Sequence, residues 1–229
     1  MKTTVYVANA DSHDISVLAL DAASGALDEV ERFPAGGVVM PLAASPEGRV
    51  LHASLRSEPY SVLSLAIEPS SGRLSEIGRA ALPASMCWLS MDHGGRFLLS
   101  AGYHANVVAV SPIGPDGAAL EAQQVVPTEL NAHSVQVDPS NRFAFAACLG
   151  GGLVRQMRFD AATGHLSDNE PRAWIGRPGA GPRHFVFHPR APFLDLLNEL
   201  DAGLDVLAFD AQRGQLRTLQ TVSTMPPGF

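Results

Sequence analysis

The chain has 229 residues, 46% apolar and 17% charged, a composition that fits a globular fold with a sizeable core and excludes extended disorder. A formal net charge of −7 and a pI near 5.5, with no Lys/Arg-rich run, exclude a general binder of nucleic-acid backbone. No run approaches 18 apolar residues and MKTTVYVANAD enters a strand-like pattern without an apolar leader, so a soluble cytoplasmic protein with no membrane partner is expected.

From Thr4 the chain reads as short runs rich in Val, Leu, Phe and Ala, with no ten-residue helical stripe between them. The segment 4–34 holds three such runs. The unit 41–83 holds four, at Pro41–Ser45, Val50–Leu55, Ser61–Ile67 and Arg73–Ala81, and further four-run units follow over 88–127, 133–173 and 184–222. One phrase recurs through them: an acidic residue, small residues, Gly, one residue, then Leu. It stands as DAASGAL, EPSSGRL, a degraded PIGPDGAAL, DAATGHL and DAQRGQL. These close on Leu27, Leu74, Leu120, Leu166 and Leu216, which are 46 to 50 residues apart. A second phrase keeps the period: SPEGR around Pro46, DHGGR around His93, DPSNR around Pro139 and HPRAP around Pro189, each a turn between two apolar runs.

Four short strands per repeat and no helices predict an all-β chain folded as a β-propeller in one domain. A β-sandwich would also give short strands, but not a repeat this regular. The first segment lacks an innermost strand, and the close at MPPGF carries no strand-like run. The expected form is therefore an incomplete arc of about five blades, with two blades and the closing strand absent. Leu194-Asp195-Leu196 places a carboxylate in mid-strand, where it must face a solvated side or mark a relaxed unit. Cys87 and Cys148 lie in apolar runs and read as buried thiols rather than zinc ligands or a disulfide.

With the turn residues as a ruler, the positions six before them are Met40, Cys87, His133 and Arg183, and those ten after are Arg56, Tyr103, Leu149 and Glu199. The two sets converge at one mouth of the central channel if the strands pair as hairpins. His133, Arg183 and Glu199 are the candidate catalytic groups: a guanidinium to hold an anion or stabilise an oxyanion, and His133 or Glu199 as general base on a water. Arg56, Tyr103 and His184 are candidates for binding polar groups of the substrate. His184 and His188, four apart on a strand, lack a third ligand and do not imply a metal. No G-x-S-x-G, GxGxxG, P-loop or paired CxxC occurs, so no serine nucleophile, nucleotide cofactor or zinc is implied, and no cofactor is expected.

The stretches TVYVAN at Thr4, SPEGR with ASLR to Arg56, AGYHANV at Ala101, AHSVQVDPSNR at Ala132, GAGPRHFVFHP at Gly179 and LLNEL with LDVLAFD to Asp210 resemble one family along the whole chain. This is the seven-bladed lactonase family of propeller-type bacterial 6-phosphogluconolactonases, whose fold relatives include fungal muconate-lactonising enzymes. The resemblance implies a cofactor-free hydrolase of a sugar lactone, with 6-phospho-D-glucono-1,5-lactone first among substrates. It also favours His133, Arg183 and Glu199 as the matching active-site positions. Two other readings stand beside it: a muconate-type lactonising enzyme on the same scaffold, and an inactive propeller fragment or interaction module.

Overall fold

The computed structural model describes residues 3–226; residues 1–2 and 227–229, the latter including the end of MPPGF, lie outside the described residues. Five antiparallel sheets follow one another along the chain, each a meander in which successive strands pair. The first has three strands, β1 (Thr3–Asn9), β2 (Asp14–Leu20) and β3 (Leu27–Pro34). The second holds β4 (Val39–Ala44), β5 (Val50–Leu55), β6 (Ser61–Ile67) and β7 (Leu74–Ala81). The third holds β8 (Trp88–Met91), β9 (Phe97–Gly102), β10 (Val107–Pro112) and β11 (Gln124–Pro127). The fourth holds β12 (Ala132–Val137), β13 (Phe143–Cys148), β14 (Leu153–Phe159) and β15 (Leu166–Ile175). The fifth holds β16 (Pro182–Phe187), β17 (Phe193–Asn198), β18 (Gly203–Asp210) and β19 (Gln215–Ser223). The opening strands β1, β4, β8, β12 and β16 touch one another in series, so they form the inner edge of an all-β, incomplete propeller.

The core lies between sheets rather than inside any one of them. Ile15 and Val17 pack on Leu51, Leu63 and Leu65; Val62 packs with Met86, Leu89 and Leu98; Leu99 and Val108 pack with Val135 and Ala146; Phe145 and Val154 pack with Leu194, Leu196 and Leu207. Strands β5, β9 and β13 are buried along their whole length because a neighbour covers each face. Strand β17 is not. Its Leu194 and Leu196 face the fourth sheet, while Asp195 and the exposed Leu197 lie on the other side, near the exposed Val186. Asp195 therefore takes the solvated of its two expected settings, half-buried on an uncovered face.

The two repeated phrases turn out to be two halves of one joint. In the turn phrase the first residue is an acceptor: Asp138 Oδ1 takes the N–H groups of Arg142 and Phe143 at 2.9 and 2.7 Å, and Asp92 Oδ1 takes those of Arg96 and Phe97. Both carboxylates are buried, satisfied by these donors. The arginine that closes the phrase then reaches the glycine phrase of the next sheet. Arg96 donates to the carbonyls of Ala161 and Ala162, and Arg142 donates to that of Ala211 at 2.6 Å. Arg49, the matching residue of the second sheet, makes no such bond, because the degraded PIGPDGAAL of the third sheet lacks the matching turn; a cavity of about 420 Å³ opens there. That degradation also moves the buried position of the phrase by one residue. Ala119 is buried and Leu120 is exposed, whereas Leu74, Leu166 and Leu216 are buried.

The glycines of the phrase sit at positive φ, for example Gly25 at 76° and Gly214 at 65°, a region that costs an L side chain about 1–2 kcal/mol. Gly214 carries a second constraint: a Cβ there would enter the Phe143 ring of the preceding sheet, while one on Gly25 would meet open space. Gly25→Ala should therefore destabilise by about 1 kcal/mol and Gly214→Ala by about 3 kcal/mol or more, read from denaturant midpoints. Equal shifts would refute the account of the joint.

Candidate active site

Three of the inner strands, β4, β12 and β16, open on a break in their ladders. The register of β4 with β5 shifts between Val39 and Leu42, that of β12 with β13 between Ala132 and Ser134, and that of β16 with β17 between Pro182 and His184. The residues left over are Met40 with Pro41, His133, and Arg183. In the third sheet the N–H of Cys87 bonds the Ala101 carbonyl at 2.8 Å while Trp88 already pairs with Ala101. A bulge frees its extra residue from the alternation of faces and aims it out of the sheet. Opposite, the second strands end in a matched contact: Arg56 N–H to Val38, Leu149 N–H to Asn131 and Glu199 N–H to Gly181, each to the carbonyl at 2.8–3.0 Å.

Cross-sheet bonds fix these bulges relative to one another. The Ser134 hydroxyl donates to the Arg183 carbonyl at 2.7 Å, and Ser90 donates to the Val135 carbonyl at 2.6 Å. Asn131 N–H donates to Asn106 Oδ1, and Asn131 Nδ2 donates to the Tyr103 carbonyl, tying the exit of β9 to the entry of β12. His133, Arg183, Glu199, Arg56, Tyr103 and His184 all line one cleft of about 430 Å³. Leu149 is buried instead. Cys87, expected to be a buried thiol, is half-buried on the cleft wall, because its bulge carries it out of the interface. Cys148 is fully buried, and burial pushes its thiol up to about 12. Trp88 and His104 also line the cleft and were not read from the sequence. Counting one residue past the ruler position finds Trp88 after Cys87, just as it finds His184 after Arg183.

Arg183 Nε lies 2.6 Å from Glu199 Oε2, with its N–H turned off the oxygen, so charge and proximity hold the pair more than an aligned hydrogen bond does. Beside it the rings meet in a train. Tyr103 lies edge-on to His133 at 5.4 Å between centroids, His133 to His184 at 4.9 Å, and His184 tilts on Trp88 at 4.8 Å. His133 Nδ1 and Trp88 Nε1 are buried with no hydrogen-bond partner among the described residues. Desolvation, then the Arg183 charge, pushes the His133 pKa below the usual histidine value. The same causes, with His133 added, hold His184 down to about 4. Both imidazoles are therefore neutral near pH 7, one able to accept a proton beside a cation able to hold a developing oxyanion. The Cys87 thiol is pushed up by burial and stays protonated, unsuited to nucleophilic attack. Arg56 is seated differently from Arg183: Nε donates to Ser85 Oγ at 3.1 Å, and one terminal nitrogen lies 3.5 Å from Met40 Sδ.

His184 and His188 do not come together. Four residues along a strand span about 13 Å, and His188 sits in the turn beyond β16, where its Nδ1 accepts the Arg190 N–H at 3.2 Å. A pH consequence follows from His184. Its pKa in the fold is lower than the unfolded value of 6.5, so the unfolded chain takes up the proton first as pH falls. Stability should be complete above about 6.5 and decline towards about pH 4. His52, buried between the second and third sheets and likewise held to about 4, contributes in the same window. Denaturant titrations across this range should show a shallower decline in His184→Gln than in the parent; an identical decline would show that His184 titrates normally.

The sequence and the fold are similar to those of known proteins. A family model described as "Lactonase, 7-bladed beta-propeller" matches residues 3–229. The 6-phosphogluconolactonase of Pectobacterium carotovorum subsp. carotovorum (strain PC1) is 40% identical over all of this chain and 68% of its own length. That of Klebsiella pneumoniae subsp. pneumoniae is 38% identical over the same shares. Among solved structures, a periplasmic gluconolactonase of Pseudomonas aeruginosa superposes with a TM-score of 0.87 at 28% identity, covering 100% of this chain and 69% of that one. A putative 6-phosphogluconolactonase of Bacteroides fragilis gives a TM-score of 0.89 at 21% identity, over 99% and 68%, and speaks for the fold alone. With a family match along residues 3–229 and relatives near 40% identity, this chain belongs to the lactonase family of seven-bladed β-propellers.

Proposed function

We propose that the chain is a lactonase that hydrolyses a sugar lactone, with 6-phospho-D-glucono-1,5-lactone as the substrate and the pentose phosphate pathway as its setting. The observation that carries this reading is the Arg183–Glu199 pair at 2.6 Å beside a neutral His133 in a cleft of sugar size. The names of the relatives, 6-phosphogluconolactonases, point the same way.

In this reading His133 is the general base. It takes a proton from a water as the oxygen of that water bonds to the lactone carbonyl carbon, and the Arg183 guanidinium stabilises the negative oxygen that forms. Glu199 holds Arg183 in place and balances its charge. Collapse of the tetrahedral intermediate breaks the bond from carbonyl carbon to ring oxygen, and the imidazolium returns its proton to that oxygen. The products are a hydroxyl and a carboxylic acid, which ionises in water. The step needs no electron acceptor and no activated co-substrate. The cytoplasm is the proposed compartment, supported by Cys87 and Cys148 both being free thiols.

The test is turnover of freshly generated 6-phosphogluconolactone by the purified chain, against the spontaneous rate and against Arg183→Ala. The expected result is a clear rate above the blank, falling about 100- to 1000-fold in kcat in the variant. Folded protein with a rate equal to the blank would overturn the proposal.

A further inference from the structure

The cleft holds two guanidinium groups, and their surroundings divide them. Arg183 has a carboxylate at 2.6 Å, so much of its charge is already answered. Arg56 takes part in no ion pair among the described residues; its contacts are the Ser85 hydroxyl and the Met40 thioether. Neutral acceptors orient a guanidinium without neutralising it. An arginine carries five N–H donors in a planar fork, so most of those on Arg56 remain for a ligand. Of the groups packed around Arg183, His133 and His184 are neutral, and Glu199 is engaged with Arg183 itself.

The two cations also stand apart in the fold. Arg56 leaves the end of β5 in the second sheet, and Arg183 lies in the bulge of β16 in the fifth, with the third and fourth sheets between them. A substrate with a lactone at one end and a phosphate at the other needs two cations held by different parts of the cleft. The lactone end requires a cation whose charge is balanced until an oxyanion develops. A phosphate dianion requires one that is unbalanced from the start.

We propose that Arg56 is the phosphate anchor of the cleft and that it, not Arg183, makes the site prefer a phosphorylated lactone over its unphosphorylated counterpart. This rests on the lactonase reading above for its kinetic consequence, but the binding consequence does not need turnover. Ser85 acts as a positioning residue by holding the Arg56 fork.

The experiment measures kcat/KM for 6-phosphogluconolactone and for glucono-1,5-lactone in the parent, Arg56→Gln, Arg56→Lys and Arg183→Gln. The ratio of the two values should fall about 10- to 100-fold in Arg56→Gln, mostly through KM, and recover in part in Arg56→Lys, which restores a point charge without the fork. Arg183→Gln should lower both values together and keep the ratio. Calorimetry runs beside it, with 6-phosphogluconate and gluconate as probes: the phosphorylated acid should bind more tightly, and Arg56→Gln should remove the difference. A ratio unchanged in Arg56→Gln, or one that collapses in Arg183→Gln instead, would overturn the assignment. If the parent turns over neither lactone, the enzyme reading falls and calorimetry alone decides on Arg56: equal binding of the two acids to parent and Arg56→Gln would sink it.

Discussion

A four-stranded antiparallel sheet with apolar side chains on both faces cannot bury them by itself, and every feature of this chain follows from how that problem is met. Each sheet covers one face of the next, so the four apolar clusters lie at the four junctions and the sheets have no separate cores. The stability of such an array is a sum over neighbours. Polar devices then set the angle of the last two junctions: the carboxylate of the turn phrase, the arginine that crosses to the next sheet, and the glycine that lets a phenylalanine close upon it. Because the junctions fix the sheets, they also fix the inner strands and the bulges that open them. The cleft inherits its precision from packing that lies well outside it.

The legibility of this arrangement in the sequence was uneven for physical reasons. Strands Val50–Leu55 and Ser61–Ile67 are found with the same bounds as read, because turn residues with fixed backbone demands bracket them. The third sheet was harder: β8 and β11 are only four residues long, and the degraded glycine phrase puts Ala119 rather than Leu120 into the interface. A period counts positions, and a one-residue slip within a loop leaves the count almost unchanged.

For the cleft, the same ruler placed His133, Arg183, Glu199, Arg56 and Tyr103 at one mouth because equivalent positions of a repeat are equivalent in space. Trp88 escaped because the count stopped at one residue per bulge, whereas two neighbours reach the cleft there. Charge pairing was illegible altogether. Arg56 and Arg183 are the same residue type on one cleft, and only the three-dimensional neighbours, Ser85 and Met40 against Glu199, tell an open charge from a balanced one.

The bulges have one more consequence. At an ordinary ladder position a new side chain must suit the face on which it falls and the strands beside it, so change there is judged by the whole sheet. The leftover residue of a bulge answers to neither. Methionine, cysteine, histidine and arginine occupy the four corresponding sites in this chain. Chemistry at the mouth can thus be rewritten one sheet at a time without re-registering a strand, which makes these four sites the natural place to graft a different reaction onto the same scaffold.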